Sequence, residues 1–200
     1  MVTRLDARRL DAISRLLQAA FEPDPLWAAF FPDAAGRARA LAPIYELVAR
    51  YGHRYGELVT DDALDAVAVW LPSEHASSTL RKELRCGGLG VLATLGPAAT
   101  LRLLGLTDHF AAVHRRLVPA PHRYLWALAV RPGRQGEGRG SRLLEAGLAR
   151  SDREGLVTYL ETFREPNVRL YQRHGFEVRR AGPAPGYAVQ GWSMVRPPAR

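Results

Sequence analysis

Cysteine is almost missing from this 200-residue chain, where Cys86 stands alone. No intramolecular disulfide can form, and with only six dispersed histidines there is no standard Cys/His zinc spacing, so no metal is expected. Lysine is equally scarce: Lys82 is the single one among 28 basic residues. The arginines are scattered, with no block of five or six like charges, so the formal charge of +8 reads as a solvated arginine-rich surface. Nucleic-acid binding lacks its motifs, because there is no aromatic RNA-binding signature, no finger spacing and no basic heptad region; no nucleic-acid partner is expected.

Long apolar runs are also lacking. The most apolar stretch, residues 86–101, carries no charge but holds Gly87, Gly88, Gly90, Gly96 and Pro97. It falls short of the ~18 residues of a spanning helix, so a buried or lid-forming helix is expected and no membrane partner. Residues 1–21 include Asp6 and Asp11 and read as an amphipathic helix without the unbroken apolar segment of a secretory signal. Length and 47% apolar content suit one domain over residues 1–200. A cytoplasmic protein, monomer or homodimer, is expected.

What is present is a regular alternation of helical and strand patterns. Ile13, Leu16, Leu17, Ala20 and Phe21 recur at helical spacing until Pro23 and Pro25 stop them. A second helix is predicted over 36–51. Residues 55–60 and 63–71 bracket Asp61 and Asp62 and predict an antiparallel hairpin closed at Pro72. Residues 73–118 turn helical and irregular. Residues 124–130 form a short apolar run ending at Arg131-Pro132-Gly133, a strand entering a turn. The helix that follows presents Gly140, Leu143, Leu144, Gly147 and Leu148 on one face and ends at Gly155. A strand over 156–161, a brief helix over 167–173 broken at Gly175, and strands near 176–180 and 187–195 complete an α+β pattern. Its central strands are those ending at Val130 and Glu161.

Between the strand at Val130 and its helix lies Arg134-Gln135-Gly136-Glu137-Gly138-Arg139-Gly140-Ser141. Amides at a helix amino terminus carry unpaired N–H groups and the positive end of the dipole, and glycines let a phosphate come close to the backbone. A dinucleotide turn would need a third glycine where Ser141 stands, and a P-loop would need Lys-Ser/Thr where Arg139 and Gly140 follow Gly138.

The spacing Gln-x-x-Gly-x-Gly from Gln135 to Gly140, after a strand ending Leu-Ala-Val and a proline, resembles the pyrophosphate-binding signature of the GNAT acetyltransferases. Downstream, Asn167-Val168-Arg169-Leu170-Tyr171-Gln172-Arg173-His174-Gly175-Phe176 resembles the family's second signature. Residues 66–70, 124–130, 138–141, 160–162 and 167–176 look most like the group around puromycin N-acetyltransferase, and that likeness spans most of the chain. It departs from the group at Phe163, Arg164, Glu165 and Pro166, which puts antibiotic specificity in question.

The resemblance implies a GNAT fold: a central mixed, mostly antiparallel sheet flanked by helices, with a helical insert between the third and fourth strands. It implies an N-acetyltransferase in which an amine attacks acetyl-CoA directly, without a covalent enzyme intermediate. A small-molecule amine is the first acceptor class. A peptide or protein acceptor, or a non-catalytic acyl-CoA-binding module, are the alternatives. By the same resemblance, Leu128, Ala129 and Val130 pair with the pantetheine arm, amides of Gln135, Gly136, Glu137, Gly138, Arg139, Gly140 and Ser141 hold the pyrophosphate, and Tyr171 protonates the leaving thiolate.

Three assignments keep a structural alternative. Tyr171 is a general acid or an ordinary core aromatic. Glu161, at a strand end, is a general base or a carboxylate satisfying local groups. Asn167 contacts the cofactor or caps its helix.

Overall fold

The computed structural model describes residues 7–119 and 121–199, so the start of the expected first helix, residues 1–6, lies outside the described residues. Helix α1 (Ala7–Phe21) buries Ile13, Leu16 and Leu17, the apolar stripe of the sequence. A short helix α2 (Pro25–Phe30), absent from the sequence expectation, follows immediately: Pro25 opens it, and the Asp24 carboxylate caps it by accepting from the Leu26 N–H at 2.9 Å. Prolines that stop one helix are well shaped to start the next. Asp33 caps α3 (Ala34–Tyr55) in the same way, and this helix runs further in both directions than residues 36–51 and passes through Pro43.

Six strands form one sheet in the order β1-β2-β3-β4-β6-β5. They are β1 (Glu57–Thr60), β2 (Ala66–Pro72), β3 (His122–Val130), β4 (Val157–Thr162), β5 (Glu177–Pro183) and β6 (Gln190–Arg196). Only β3 and β4 run parallel; every other neighbouring pair is antiparallel. The strands ending near Val130 and Glu161 occupy the middle, as expected. The helical insert, α4 (Ser73–Ala76), α5 (Leu80–Arg85) and α6 (Gly88–Leu117), lies between the second and third of these strands. The expected position was one strand later; the described chain enters the fold on a helix, so the strand count starts lower.

Strand alternation sorts the core into two layers. Val67, Val69, Ala127 and Ala129 pack with α1 and α3, while Ala66, Ala68, Trp70 and Leu125 pack with Leu143, Leu144 and Leu148 of α7 (Arg139–Arg153) and with Val168 and Tyr171 of α8 (Glu165–Arg173). Trp126 has no partner between Leu125 and Ala127, which face Trp70 and Val69. This bulge resets which side chains of β3 face each layer. A Cβ on Gly147 would stand 2.2 Å from the Trp70 ring, so α7 reaches the sheet only because that residue has no side chain.

Of the two expectations for residues 86–101, a buried or a lid-forming helix, α6 departs from the first. It kinks at Gly96 (φ 73°) beside Pro97, and it buries Val91, Leu106, Val113 and His114 while Leu89, Leu92, Leu101 and Leu104 stay exposed. By length and composition alone it passes for a membrane span, but it packs along α3, with Val91 in the cluster of Leu41, Ile44 and Val48 and Leu106 in that of Leu26 and Phe30.

Candidate functional site

The site opens where the two parallel strands part. β3 and β4 pair only from His122 to Tyr124, against Val157 to Tyr159, although β3 continues to Val130 and β4 to Thr162. Ala127 and Ala129 are buried, and buried main-chain groups without partners cost about as much as a lost hydrogen bond. The β4-facing edge of β3 is thus shaped to receive an extended ligand as an added strand. Leu128, Ala129 and Val130 all lie on this parted segment, paired on their other side with Ala68, Val67 and Ala66.

The glycine turn follows directly. Gly136 (φ 83°) and Gly138 (φ 73°) sit in the left-handed region, where side chains with a Cβ pay roughly 1–2 kcal/mol. Gly138 is the residue from which α7 starts, with the Arg142 N–H already bonded to its carbonyl. The amides of Arg139, Gly140 and Ser141 have no carbonyl one turn earlier to meet. A Cβ at Gly140 would lie 3.3 Å from Val130 Cγ2, so the helix start rests tightly on the strand end. Unpaired donors, a helix dipole and an approachable backbone together make an anion cradle.

The side chains of this turn face elsewhere. The Arg139 guanidinium donates to Asp61 at 2.5 Å and to Glu137 at 2.9 Å, Arg131 pairs with Asp65 at 2.6 Å, and Arg134 reaches Asp65 and Glu137. Burial pushes the Asp61 carboxyl up, but the Arg139 guanidinium and the amides of Asp65 and Ala66 outweigh it, and its pKa ends below the ordinary value. The Arg139 side chain is tied to the β1–β2 hairpin through Asp61, and that of Glu137 to Arg139 and Arg134, which leaves their main-chain N–H groups for a ligand. Gln135 sits over the Val130 carbonyl at 3.5 Å, too long for a strong bond.

Glu161 stands one residue from the end of β4, beyond the last β3–β4 pair. Tyr124 donates its phenol to one carboxylate oxygen at 2.7 Å and Tyr159 to the other at 2.8 Å. Burial raises its pKa to about 7, against the pull of those two hydrogen bonds. It shares a face with Tyr159, on the α3–α6 side. Leu160 points to the other side, into the cluster that holds Tyr171. Glu161 and Tyr171 thus flank the gap between the strands from opposite faces.

Tyr171 is 6% exposed and meets Phe176 edge-on at 5.7 Å. Burial alone holds its phenol well above the ordinary tyrosine value, and its hydroxyl makes no hydrogen bond among the described residues. Asn167 is not the helix cap: Arg164 holds that position. The Asn167 amide donates instead to Thr162 Oγ1 at the end of β4, at 3.3 Å.

Sequence reading missed the company around Glu161. Tyr124 and Tyr159 are 37 and 2 residues away from it, and nothing in their spacing pairs the first with the carboxylate. It also saw the histidines as dispersed, yet His114 and His122 meet at 2.8 Å between Nε2 atoms. His122 donates from Nδ1 to the Pro119 carbonyl at 3.0 Å, so its Nε2 accepts from His114.

The Acetyltransferase (GNAT) family model matches residues 60–176, from the end of β1 to Phe176, and so takes in the whole site. A structure described as histone acetyltransferase HPA2 and related acetyltransferase, from Corynebacterium glutamicum, is 24% identical with a TM-score of 0.69, over 98% of this chain and 94% of that one. A GNAT-family acetyltransferase from Desulfovibrio desulfuricans is 16% identical with a TM-score of 0.54, over 100% and 96%. The ribosomal-protein-S18-alanine N-acetyltransferase of Escherichia coli is 15% identical with a TM-score of 0.51, over 100% and 94%. These likenesses show a shared fold.

Proposed function

The chain belongs to the GNAT acetyltransferase family, and on that premise we propose that it acetylates a primary amine of a small molecule, in the cytoplasm, by direct attack within a ternary complex. The family makes it an acyl-CoA-dependent transferase with acetyl-CoA as co-substrate. Bound acetyl-CoA supplies the activated thioester. The parted edge at Leu128, Ala129 and Val130 fits an amide-bearing arm, and the amides from Gln135 to Ser141 fit its pyrophosphate. The Asn167 side chain reaches from α8 to Thr162 at the end of β4, which supports a contact with the same arm.

Glu161 is the general base in this reading. With a pKa near 7 it is substantially ionised at neutral pH and takes a proton from the incoming ammonium efficiently, since an acid–base catalyst works best when its pKa lies near the operating pH. The Tyr171 hydroxyl makes no hydrogen bond among the described residues and is the general acid of this reading; burial keeps it protonated but weakens it as an acid, so it hydrogen-bonds the departing thiolate and yields its proton only as the C–S bond breaks. Holding both ligands in one geometry supplies the rest of the rate.

One observation carries the choice of a small acceptor. Phe110 of α6 meets Phe163, two residues beyond Glu161, edge-on at 5.2 Å, and Arg102 of α6 donates to the Tyr187 hydroxyl at 2.8 Å. The insert is stitched across the end of β4 to the β5–β6 connection, and in this reading it roofs the acceptor side, which favours a compact acceptor over a peptide. Release of CoA thiol is the test, measured with acetyl-CoA against a panel of amines, aminonucleosides, polyamines and peptides. Turnover with peptides alone overturns the small-molecule reading, and tight acetyl-CoA binding with no turnover on any amine overturns the enzymatic role of these residues.

A further inference from the structure

The carboxylate of Glu161 is gripped at both ends. Tyr124 holds Oε2 and Tyr159 holds Oε1, so neither oxygen can rotate out of plane without breaking a charge-assisted bond. Both phenol rings rest on one residue of the insert. The His114 imidazole stacks on Tyr159 with centroids 3.9 Å apart and planes at 15°, and meets Tyr124 edge-on at 4.7 Å. His114 in turn is fixed by the bond it donates to His122, itself anchored on Pro119.

We propose that Tyr124 and Tyr159 are positioning residues that aim the Glu161 carboxylate at the acceptor nitrogen, and that His114, supplied by the helical insert, is the wedge that holds both phenols in place. The proposal rests on the reading of Glu161 as the base. It gives the insert a second task besides roofing the acceptor: the insert completes the support of the catalytic carboxylate.

The charges around the group agree with a neutral wedge. Burial, then the neighbouring His122 and Arg115, lower the His114 pKa to about 3, and burial lowers that of His122. Neither imidazole adds positive charge beside the carboxylate at working pH. Burial and Glu161 raise the Tyr159 pKa against the pull of Ser193 of β6 and Arg180 of β5, and Tyr124 faces Glu161 and Tyr159. With the carboxylate side of each phenol bond favouring the ionised acid, loss of a phenol must push the Glu161 pKa further up.

The test is a pH titration of Tyr124→Phe, Tyr159→Phe and the double variant, read in two independent ways. The first is the acid limb of kcat/KM, and the second is the carboxyl 13C shift of Glu161 in the free protein, assigned with Glu161→Gln. Each single change is expected to move both midpoints upward by about one unit, the size of one hydrogen bond to a charged group. His114→Ala is expected to shift them in the same direction, and His114→Phe, which keeps a flat ring, to restore part of the shift. Midpoints unmoved in the double variant overturn the proposal even where kcat falls, because a merely structural loss lowers rate without moving a titration. An NMR midpoint that moves while Glu161→Gln keeps full activity leaves the grip standing and overturns the assignment of Glu161 as base, so the two failures are separable.

Discussion

The glycine turn and the helical insert border the same gap from opposite sides, and they are built on different physics. In the turn, the proposed function rests on the main chain: positive-φ glycines, the first amides of α7 and a parted strand edge, with the charged side chains drawn back into pairs with Asp61, Asp65 and Glu137. On the insert side it rests on side chains: Phe110 against Phe163, Arg102 on Tyr187, His114 behind Tyr124 and Tyr159. Backbone sites tolerate few sequences, because only glycine has the required freedom. Side-chain contacts can be rebuilt in many ways. A family can thus keep one cofactor turn while its inserts vary with the acceptor.

The contrast predicts which substrate each change disturbs. The largest effect is expected at the chemistry between the two regions, where Glu161→Gln or Tyr171→Phe lowers kcat by about 10²–10⁴-fold, the usual share of acid–base catalysis. Calorimetry should show acetyl-CoA still binding to both variants, and unchanged turnover would remove the residue concerned from the mechanism. Next comes Gly138→Val. It forces a β-branched residue into left-handed backbone at roughly 1–2 kcal/mol, so the acetyl-CoA Kd is expected to rise about tenfold while the acceptor KM stays put.

Phe110→Ala is the mirror experiment. It opens the roof, and the acceptor KM is expected to rise several-fold with the acetyl-CoA KM unmoved; a change in both would mean that the two regions are not separable. Stability against pH gives a smaller but signed effect. Glu161 has a raised folded pKa, so its contribution to stability is present below the unfolded value of about 4.5 and is lost as pH climbs to about 7. Asp61 has a lowered one, so its contribution is present above about 3.8 and is lost as the solution is acidified below that. Urea unfolding should show Glu161→Gln flattening the loss between pH 4.5 and 7, and Asp61→Asn flattening the loss on the acid side. The smallest effect belongs to the exposed face of α6: Leu101, 68% exposed, should change to Ser within about 0.5 kcal/mol.

Legibility followed the same divide. The turn, the second signature and both central strands could be read directly, because glycine geometry and strand alternation are local properties that a sequence displays in order. Tyr171 and Glu161 were readable as candidates from their places in those patterns. The reading failed where contacts span the chain. For Asn167, read as a cofactor contact or a helix cap, the cap alternative fell to Arg164, because Pro166 lies inside α8 and not before it. Residues 86–101 read as buried or lid-forming because they are apolar, and Leu89, Leu92 and Leu101 prove to be exposed.

The central strands, the glycine turn with its following helix and the family signatures were legible in the sequence alone, since each depends on residues close together along the chain. The tertiary structure decided that β3 and β4 part after Tyr124, that two tyrosines from different strands grip one carboxylate, and that a histidine from the insert stands behind them. Those facts depend on a bulge at Trp126, on burial and on packing between distant segments. Neither hydrophobic period nor motif spacing carries that information, because a side chain's pKa and partners are properties of the surroundings it folds into.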